Sequence, residues 1–376
     1  MTMSAPIILI ITKDAESRGG VANYFRLFFR KFDDPGIRIE RADIGSRANQ
    51  YYKRWNRPFA YLCEFITDVF AIRKRLKMNL SIEVVQVNPS MIPLPLFRDG
   101  ILVLMAKIYN RKVVVFFRGW DEKMVVRLNG NRPLLSLFCR IYKKADAVIL
   151  LANEFKLQLL QWGLKAQRLH VSRTMFDGDM IQAPGPKKNP MPRFIFLSRI
   201  SREKGAFEIV HAASRLKEAG YDFRIAFHGY GATANTVAEL AALATKLGVL
   251  DRIELCGFVD GQEKYLAYSQ ADVFLLPSFH PEGCPNSVLE AMASGCFVIS
   301  SDRGALKEVV QDRINGLMVE PGNAEDLAET MMWTLQNINE VRRKGQENRK
   351  YAFELFESKI IVAQIASIYR GLIQGE

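Results

Sequence analysis

The sequence predicts an α/β protein made of two Rossmann-like parallel-sheet domains facing across a cleft. Short β-branched runs alternate with amphipathic stretches, the pattern of a parallel sheet covered on both faces. The alternation stops once, at a proline- and glycine-rich stretch from Asp177 to Pro192, and then restarts. Neither residue type continues a helix or a central strand, so this stretch reads as a linker. The expected organisation is a first domain over 1–178, a linker over 179–192 and a second domain over 193–356, with a last helix over 357–376 that crosses back to the first domain.

Taken in order, Ile7–Thr12, Ile37–Ala42, Ile82–Val87, Lys112–Phe117 and Ala147–Leu151 read as strands of the first domain. Apolar residues at helical spacing place helices over Val21–Phe32, Tyr52–Lys77, Asp99–Tyr109 and Leu134–Lys144. Beyond the linker, strands are expected at Phe194–Leu197, Phe223–His228, Arg252–Leu255, Val273–Leu276 and Phe297–Ser300. Helices near Ala206–Ala219, Ala232–Leu247, Asn286–Ala293 and Ala324–Leu335 alternate with or follow them, and Ser358–Ile373 closes the chain. In open α/β sheets a ligand lies at the carboxyl ends of the strands, so the loops there are where a site belongs.

Five scattered cysteines without a C-x-x-C pair read as reduced thiols of a cytoplasmic protein. No window holds about 18 uninterrupted apolar residues, the length a spanning helix needs. The net charge is +12, and 18 basic against 6 acidic residues fall between Tyr51 and Lys144. A basic first half attracts an anion: nucleic acid, acidic lipid or a phosphorylated substrate. No known nucleic-acid motif joins its basic and aromatic residues, which disfavours that rival. Over Tyr52–Lys77 the mixture of aromatic, apolar and basic residues suits a helix lying on an anionic membrane surface, although such a stripe is usually core.

The densest chemistry lies from Ser278 to Gly295. Glu282 sits in a loop broken by Pro281, Gly283 and Pro285, and Glu290 lies about one turn inside the helix that the loop starts. Eight residues are a little over two helical turns, so a loop folded back over the helix start aims both acids at one cavity. The first N–H groups of that helix, at Asn286 and Ser287 behind Cys284, suit a phosphate. Arg199 and Lys204 occupy a strand-to-helix loop, where a diphosphate would meet two cations. Gly19 and Gly20 follow the first strand, and Gly229 and Gly231 follow another; both pairs are also what a tight turn needs. Arg118 and Asp121 follow Lys112–Phe117 and are expected to reach the ligand from the other side, or else to form a loop ion pair. Asp177-Gly-Asp179 is a short metal-like pattern placed in the linker, and the four histidines lack ligand spacing, so no metal site is expected. The chain has no dinucleotide fingerprint, no P-loop and no G-x-S-x-G elbow.

Together these residues resemble the family-4 retaining glycosyltransferases of the GT-B fold. The resemblance rests on Ser198-Arg-Ile-Ser-Arg-Glu-Lys-Gly205, Gly257-Phe-Val259, Glu282 with Glu290-Ala-Met-Ala-Ser-Gly295, and Asn315-Gly-Leu-Met-Val-Glu-Pro-Gly322. It implies a metal-independent, retaining hexosyltransferase without a cofactor, using a nucleoside diphosphate sugar as donor, a UDP-sugar ahead of a GDP-sugar. Glu290 would bind the ribose, Glu282 the transferred sugar, and Arg199 and Lys204 the diphosphate. Gly283, Cys284, Pro285, Asn286 and Ser287 would form the donor loop, Gly19 and Gly20 would face the diphosphate, and Phe258 and Val259 would border the base. The sequence departs from the family where Arg118 replaces a common histidine, leaving Arg118 or Asp121 to take acceptor contacts. It departs again at Cys284, where relatives carry an aromatic, and at Arg303-Gly304, where they carry Gly-Gly. The expected acceptor is a lipid-linked precursor of a surface polysaccharide at the cytoplasmic face of the membrane; the rival is a soluble small-molecule acceptor.

Overall fold

The computed structural model describes residues 5–13, 19–44, 58–182 and 191–375. Two compact units result, Met1–Arg173 joined by Ser358–Glu376, and Thr174–Glu357. Ser17 and Arg18, the start of the Tyr52–Lys77 stretch and most of the expected linker lie outside the described residues.

The first unit runs β1 (Ile7–Thr12), α1 (Gly20–Lys31), β2 (Arg38–Asp43), α2 (Pro58–Met78), β3 (Ile82–Val87), α3 (Pro93–Ile108), β4 (Lys112–Phe116), α4 (Glu122–Asn129), α5 (Arg132–Tyr142), β5 (Ala147–Leu150), α6 (Asn153–Gln161) and β6 (Leu169–Val171). Among the described residues its sheet has six strands in the order β2-β1-β3-β4-β5-β6. The strands are parallel, so helices must return the chain across the faces. Every residue of β1 is buried, as expected of an unbroken Ile/Leu run in a central strand. Tyr24, Phe25 and Phe28 turn one face of α1 into this core. The rings of Tyr24 and Phe116 meet edge to face at 5.7 Å.

The second unit runs β7 (Arg193–Leu197), α7 (Ala206–Glu218), β8 (Arg224–His228), α8 (Thr236–Lys246), β9 (Ile253–Gly257), α9 (Gly261–Ser269), β10 (Val273–Leu276), α10 (Asn286–Ala293), β11 (Phe297–Ser301), β12 (Gly316–Val319), α11 (Ala324–Gln336) and α12 (Ile338–Phe356). Its parallel strands follow the order β12-β11-β10-β7-β8-β9. Each unit is thus a doubly wound parallel sheet.

The first boundary falls earlier than the sequence suggested. Thr174 already belongs to the second unit, five residues ahead of the expected linker. Its hydroxyl donates to the Cys284 carbonyl at 2.9 Å, and the Phe176 ring packs edge-on to Phe353 at 5.1 Å. Phe176 N–H donates to the Phe356 carbonyl at 3.3 Å, so this segment is tied to the end of α12. Immediately after α12 comes α13 (Ser358–Gln374), a helix of the first unit. Ile361, Ile365 and Tyr369 recur every fourth residue on its buried face. Tyr369 hydroxyl donates to Gln86 Oε1, Gln86 Nε2 donates to Asn88 Oδ1 at 2.9 Å, and Asn88 Nδ2 donates to the Ile11 carbonyl at 2.7 Å. The last helix therefore reaches the carboxyl end of β1 through a polar relay. Burial pushes the Tyr369 phenol well above its usual range, keeping it a donor.

Tyr369→Phe deletes that donor and leaves the buried Gln86 amide oxygen unmet. A loss of about 1–3 kcal/mol in urea unfolding is expected. An unchanged midpoint would show that the relay contributes nothing to the first unit.

Candidate functional site

The loops at the carboxyl ends of β7, β8 and β10 are fastened to one another by backbone contacts that demand glycine. Gly205 has φ 77°, and a Cβ there would lie 2.3 Å from the Pro277 carbonyl. Gly229 has φ 143°, and its Cβ would lie 1.9 Å from the Ser198 carbonyl. Ile200 N–H donates to the Tyr230 carbonyl at 3.0 Å, and Ala232 N–H returns to the Ile200 carbonyl at 2.9 Å. The close neighbour that requires glycine at 229 is therefore Ser198, and at 231 it is the Thr233 carbonyl, 2.7 Å from the position a Cβ would take. Loop packing therefore requires glycine at both positions.

Glu282 is held the same way. Gly304 has φ 61°, and a Cβ there would be 2.4 Å from the Glu282 carbonyl oxygen and 2.8 Å from its nitrogen. Ala305 N–H donates to that carbonyl at 2.7 Å. The Arg303-Gly304 departure thus keeps the one glycine that the backbone of Glu282 requires. The Glu282 side chain is buried and accepts an ion pair from Lys204. Ser201 hydroxyl, accepting from Lys204 N–H at 3.3 Å, caps the short turn that carries this lysine. Arg199, the other expected cation, is half-exposed, with its guanidinium 3.4 Å from Glu203. It remains free to swing toward an anion, because an exposed pair of this kind contributes little.

Glu290, also buried, lies on the second turn of α10. Lys264 Nζ donates to its carboxylate at 2.8 Å and Tyr268 hydroxyl at 3.4 Å. Burial, and next the Glu290 charge, push the Tyr268 phenol well above its usual range, so it stays protonated. The sequence reading missed Lys264 and Tyr268. They stand four apart on α9 and so share one helix face, and that spacing was the available signal.

Before Glu290, the start of α10 carries no side-chain cap: Pro285 occupies the cap position. Asn286 and Ser287, its first two residues, are half-buried there. Gly283 and Pro285 are half-buried, and Cys284 is buried with φ 70°, in the left-handed region that a non-glycine residue seldom enters. The Thr174 hydroxyl fixes that turn by donating to the Cys284 carbonyl. Beyond β9, Phe258 and Tyr230 expose their rings side by side, centroids 5.7 Å apart. Val259 turns instead toward a cavity of about 280 Å3 that His228, Cys256 and Leu266 also line. Burial pulls the His228 imidazole below its usual range, which favours the neutral form.

In the first unit, Gly19 has φ 124° at the start of α1, and Cβ atoms at 19 and 20 would meet nothing within 4 Å. Arg118 does not extend outward as expected. Its guanidinium lies 3.7 Å from the Tyr24 ring centre and 4.5 Å from that of Phe116, buried as a cation–π stack. Asp121 is used locally: its carboxylate caps α4, accepting from Lys123 N–H at 2.9 Å. Among the described residues no cluster of three or more His, Cys, Asp or Glu could hold a metal ion.

Residues 179–351 match the family described as glycosyl transferases group 1. Over 273 residues the chain is 26% identical to the putative colanic acid biosynthesis glycosyltransferase WcaL of Escherichia coli K12, spanning 70% of this chain and 66% of that relative. Its fold is that of the sucrose-phosphate synthase of Thermosynechococcus elongatus, with TM-score 0.75 at 19% identity over 99% of this chain and 100% of the other. A similar likeness, TM-score 0.73 at 17% identity over 97% and 99%, extends to Anabaena HepE, crystallised with UDP-glucose. These likenesses establish the GT-B fold.

Lys264→Met leaves the Glu290 carboxylate buried without its cation. A loss of about 3 kcal/mol or more in urea unfolding is expected, with most of it recovered in Lys264→Met/Glu290→Leu. A single variant as stable as the native chain would show that this ion pair does not hold Glu290.

Proposed function

We propose, for a chain whose residues 179–351 are of the group 1 glycosyltransferase family, that it is a retaining, metal-independent glycosyltransferase. It moves a sugar from a nucleoside diphosphate sugar to a lipid-linked precursor of a surface polysaccharide. The observation that carries this reading is the pair of buried carboxylates, Glu282 and Glu290, each held by a lysine of the same unit beside an uncapped helix start.

The roles follow from those surroundings. A carboxylate held in place by a lysine is a strong acceptor for sugar hydroxyls. Glu290 takes the ribose hydroxyls, with Lys264 and Tyr268 fixing its orientation. Glu282 takes hydroxyls of the transferred sugar. The first N–H groups of α10 take the diphosphate, and the Tyr230–Phe258 pair offers an aromatic surface for the base. When the bond from the anomeric carbon to the diphosphate oxygen breaks, negative charge collects on the diphosphate. Lys204 and Arg199 meet that charge, and a cation already in place lowers the barrier most. The acceptor oxygen bonds to the anomeric carbon and its proton passes to the departing phosphate.

The acceptor side rests on the surface of the first unit. Ile66 and Phe70 of α2 and Leu94 and Phe97 of α3 are exposed large apolar side chains. Arg73, Lys74 and Lys77 are exposed on the last turns of α2. Apolar side chains beside a basic run suit peripheral docking on an anionic membrane, at its cytoplasmic face. No helix among the described residues is long and apolar enough to cross a membrane. WcaL is named as a putative colanic acid biosynthesis glycosyltransferase, which supports a polysaccharide product, and HepE was crystallised with UDP-glucose, which supports a UDP-sugar donor.

A thermal-shift comparison of UDP, GDP and ADP tests the donor half. UDP is expected to raise the melting temperature most, by the equivalent of about 2.7 kcal/mol at a hundredfold excess over Kd. Glu290→Gln is expected to remove that shift while leaving the circular dichroism unchanged. If none of the three nucleotides shifts the native chain, the donor reading fails.

A further inference from the structure

The first unit contains a small cavity that the donor chemistry does not use. It lies at the carboxyl ends of β1 and β3 and beside the start of α3, has a volume of about 70 Å3, and is lined by Thr12, Lys13, Asn88, Ser90, Arg98 and Arg118 among others. That volume is several times the roughly 10–15 Å3 that admits one water molecule, which suits a small oxyanion.

Its walls are cationic. The Arg118 guanidinium lies against both the Tyr24 and the Phe116 rings. Arg98 is fixed by two bonds to Asp99, of 2.7 and 3.1 Å, and that carboxylate is fully buried. Lys13, just past β1, lines the same cavity and is otherwise exposed. Three cations therefore converge with one carboxylate, and like charges held together are stabilised by a bound anion. Asn88 is positioned by Ile11 and Gln86, the latter bonded to Tyr369. A second, independent observation points to a ligand. Thr12 Oγ1 is buried with no hydrogen-bond partner among the described residues, on a residue only 2% exposed that lines this cavity. A buried hydroxyl without a partner is uncommon, and an anion in the cavity would accept its proton.

The cavity wall continues into apolar surface. Ile92 both lines the cavity and is exposed, and Leu94 and Phe97, on the same turn as Arg98, are 66% and 63% exposed. Oxyanion-sized charge beside uncovered apolar side chains matches an amphiphile with a phosphate head.

We propose that this cavity grips the phosphate of a lipid-linked acceptor. Lys13, Arg98 and Arg118 face its oxygens, Thr12 donates to it, and the hydrocarbon lies along Ile92, Leu94 and Phe97. The site deepens the acceptor half of the proposed function and rests on that reading for its role, although phosphate binding itself is measured separately.

Calorimetry with inorganic phosphate, hexyl phosphate and hexyl glucoside separates the possibilities. Hexyl phosphate is expected to bind most tightly, inorganic phosphate more weakly, and hexyl glucoside not at all. Thr12→Val, which keeps the side-chain shape, and Lys13→Met are each expected to weaken phosphate binding about tenfold, the worth of one charge-assisted hydrogen bond. Neither should alter the UDP-dependent thermal shift, which belongs to the second unit. The site is overturned if neither phosphate binds, if binding survives both substitutions, or if Lys204→Met removes it instead. Equal affinity for the two phosphates supports the oxyanion site and overturns its lipid flank. Phosphate binding without any UDP shift would sink the donor reading and leave the oxyanion site; a UDP shift without phosphate binding would do the reverse.

Discussion

Two carboxylates buried in the second unit are each met by a lysine of that unit. Lys204 pairs with Glu282 and Lys264 with Glu290. An isolated buried carboxylate would shed its charge by taking up a proton, and would then lose most of its strength as a hydroxyl acceptor. The surrounding architecture serves these pairs. Gly304 allows the backbone of Glu282 to lie against it, Gly205 lets the Lys204 turn close on Pro277, and Thr174 holds the turn at Cys284. Both carboxylate-bearing loops are thus held by contacts that a single added methyl group would break.

The first unit applies the same economy to cations. The Arg118 guanidinium lies against the Tyr24 and Phe116 rings, and aromatic faces help to position its charge. The relay from Tyr369 through Gln86 and Asn88 ties the last helix of the chain to the floor of this region. A segment distant in sequence thereby contributes to the order of residues next to Thr12.

Much of this was legible in the sequence, for reasons that differ by element. Ile7–Thr12 and Ile82–Val87 were located to the residue because central parallel strands are continuous β-branched runs. Glu282 and Glu290 stood out because a Pro/Gly-broken loop before a small-residue helix is a distinctive spacing. The strand Leu169–Val171 was missed because three residues carry no periodicity, and α9 because its Gly261 start obscures a helix that Asp260 caps. The boundary at Thr174 depends on bonds to Cys284 and Phe356, far away along the chain. Arg118 and Asp121 were recognisable as polar loop residues, but their employment, a stack and a helix cap, is decided by which side chains tertiary packing brings beside them. The glycines at 229 and 231 follow the same logic: a glycine pair after a strand signals close approach, and only the fold shows that the approaching group is Ser198 or Thr233.

The central claim is that the start of α10, with Glu290 behind it, is where the nucleotide diphosphate sits. Amide hydrogen exchange with and without UDP addresses it at the atoms concerned. The account predicts that UDP slows exchange at Asn286 and Ser287 and across 257–259, with the first unit unchanged. Unaltered exchange at Asn286 and Ser287 under saturating UDP, or protection confined to the first unit, would contradict it.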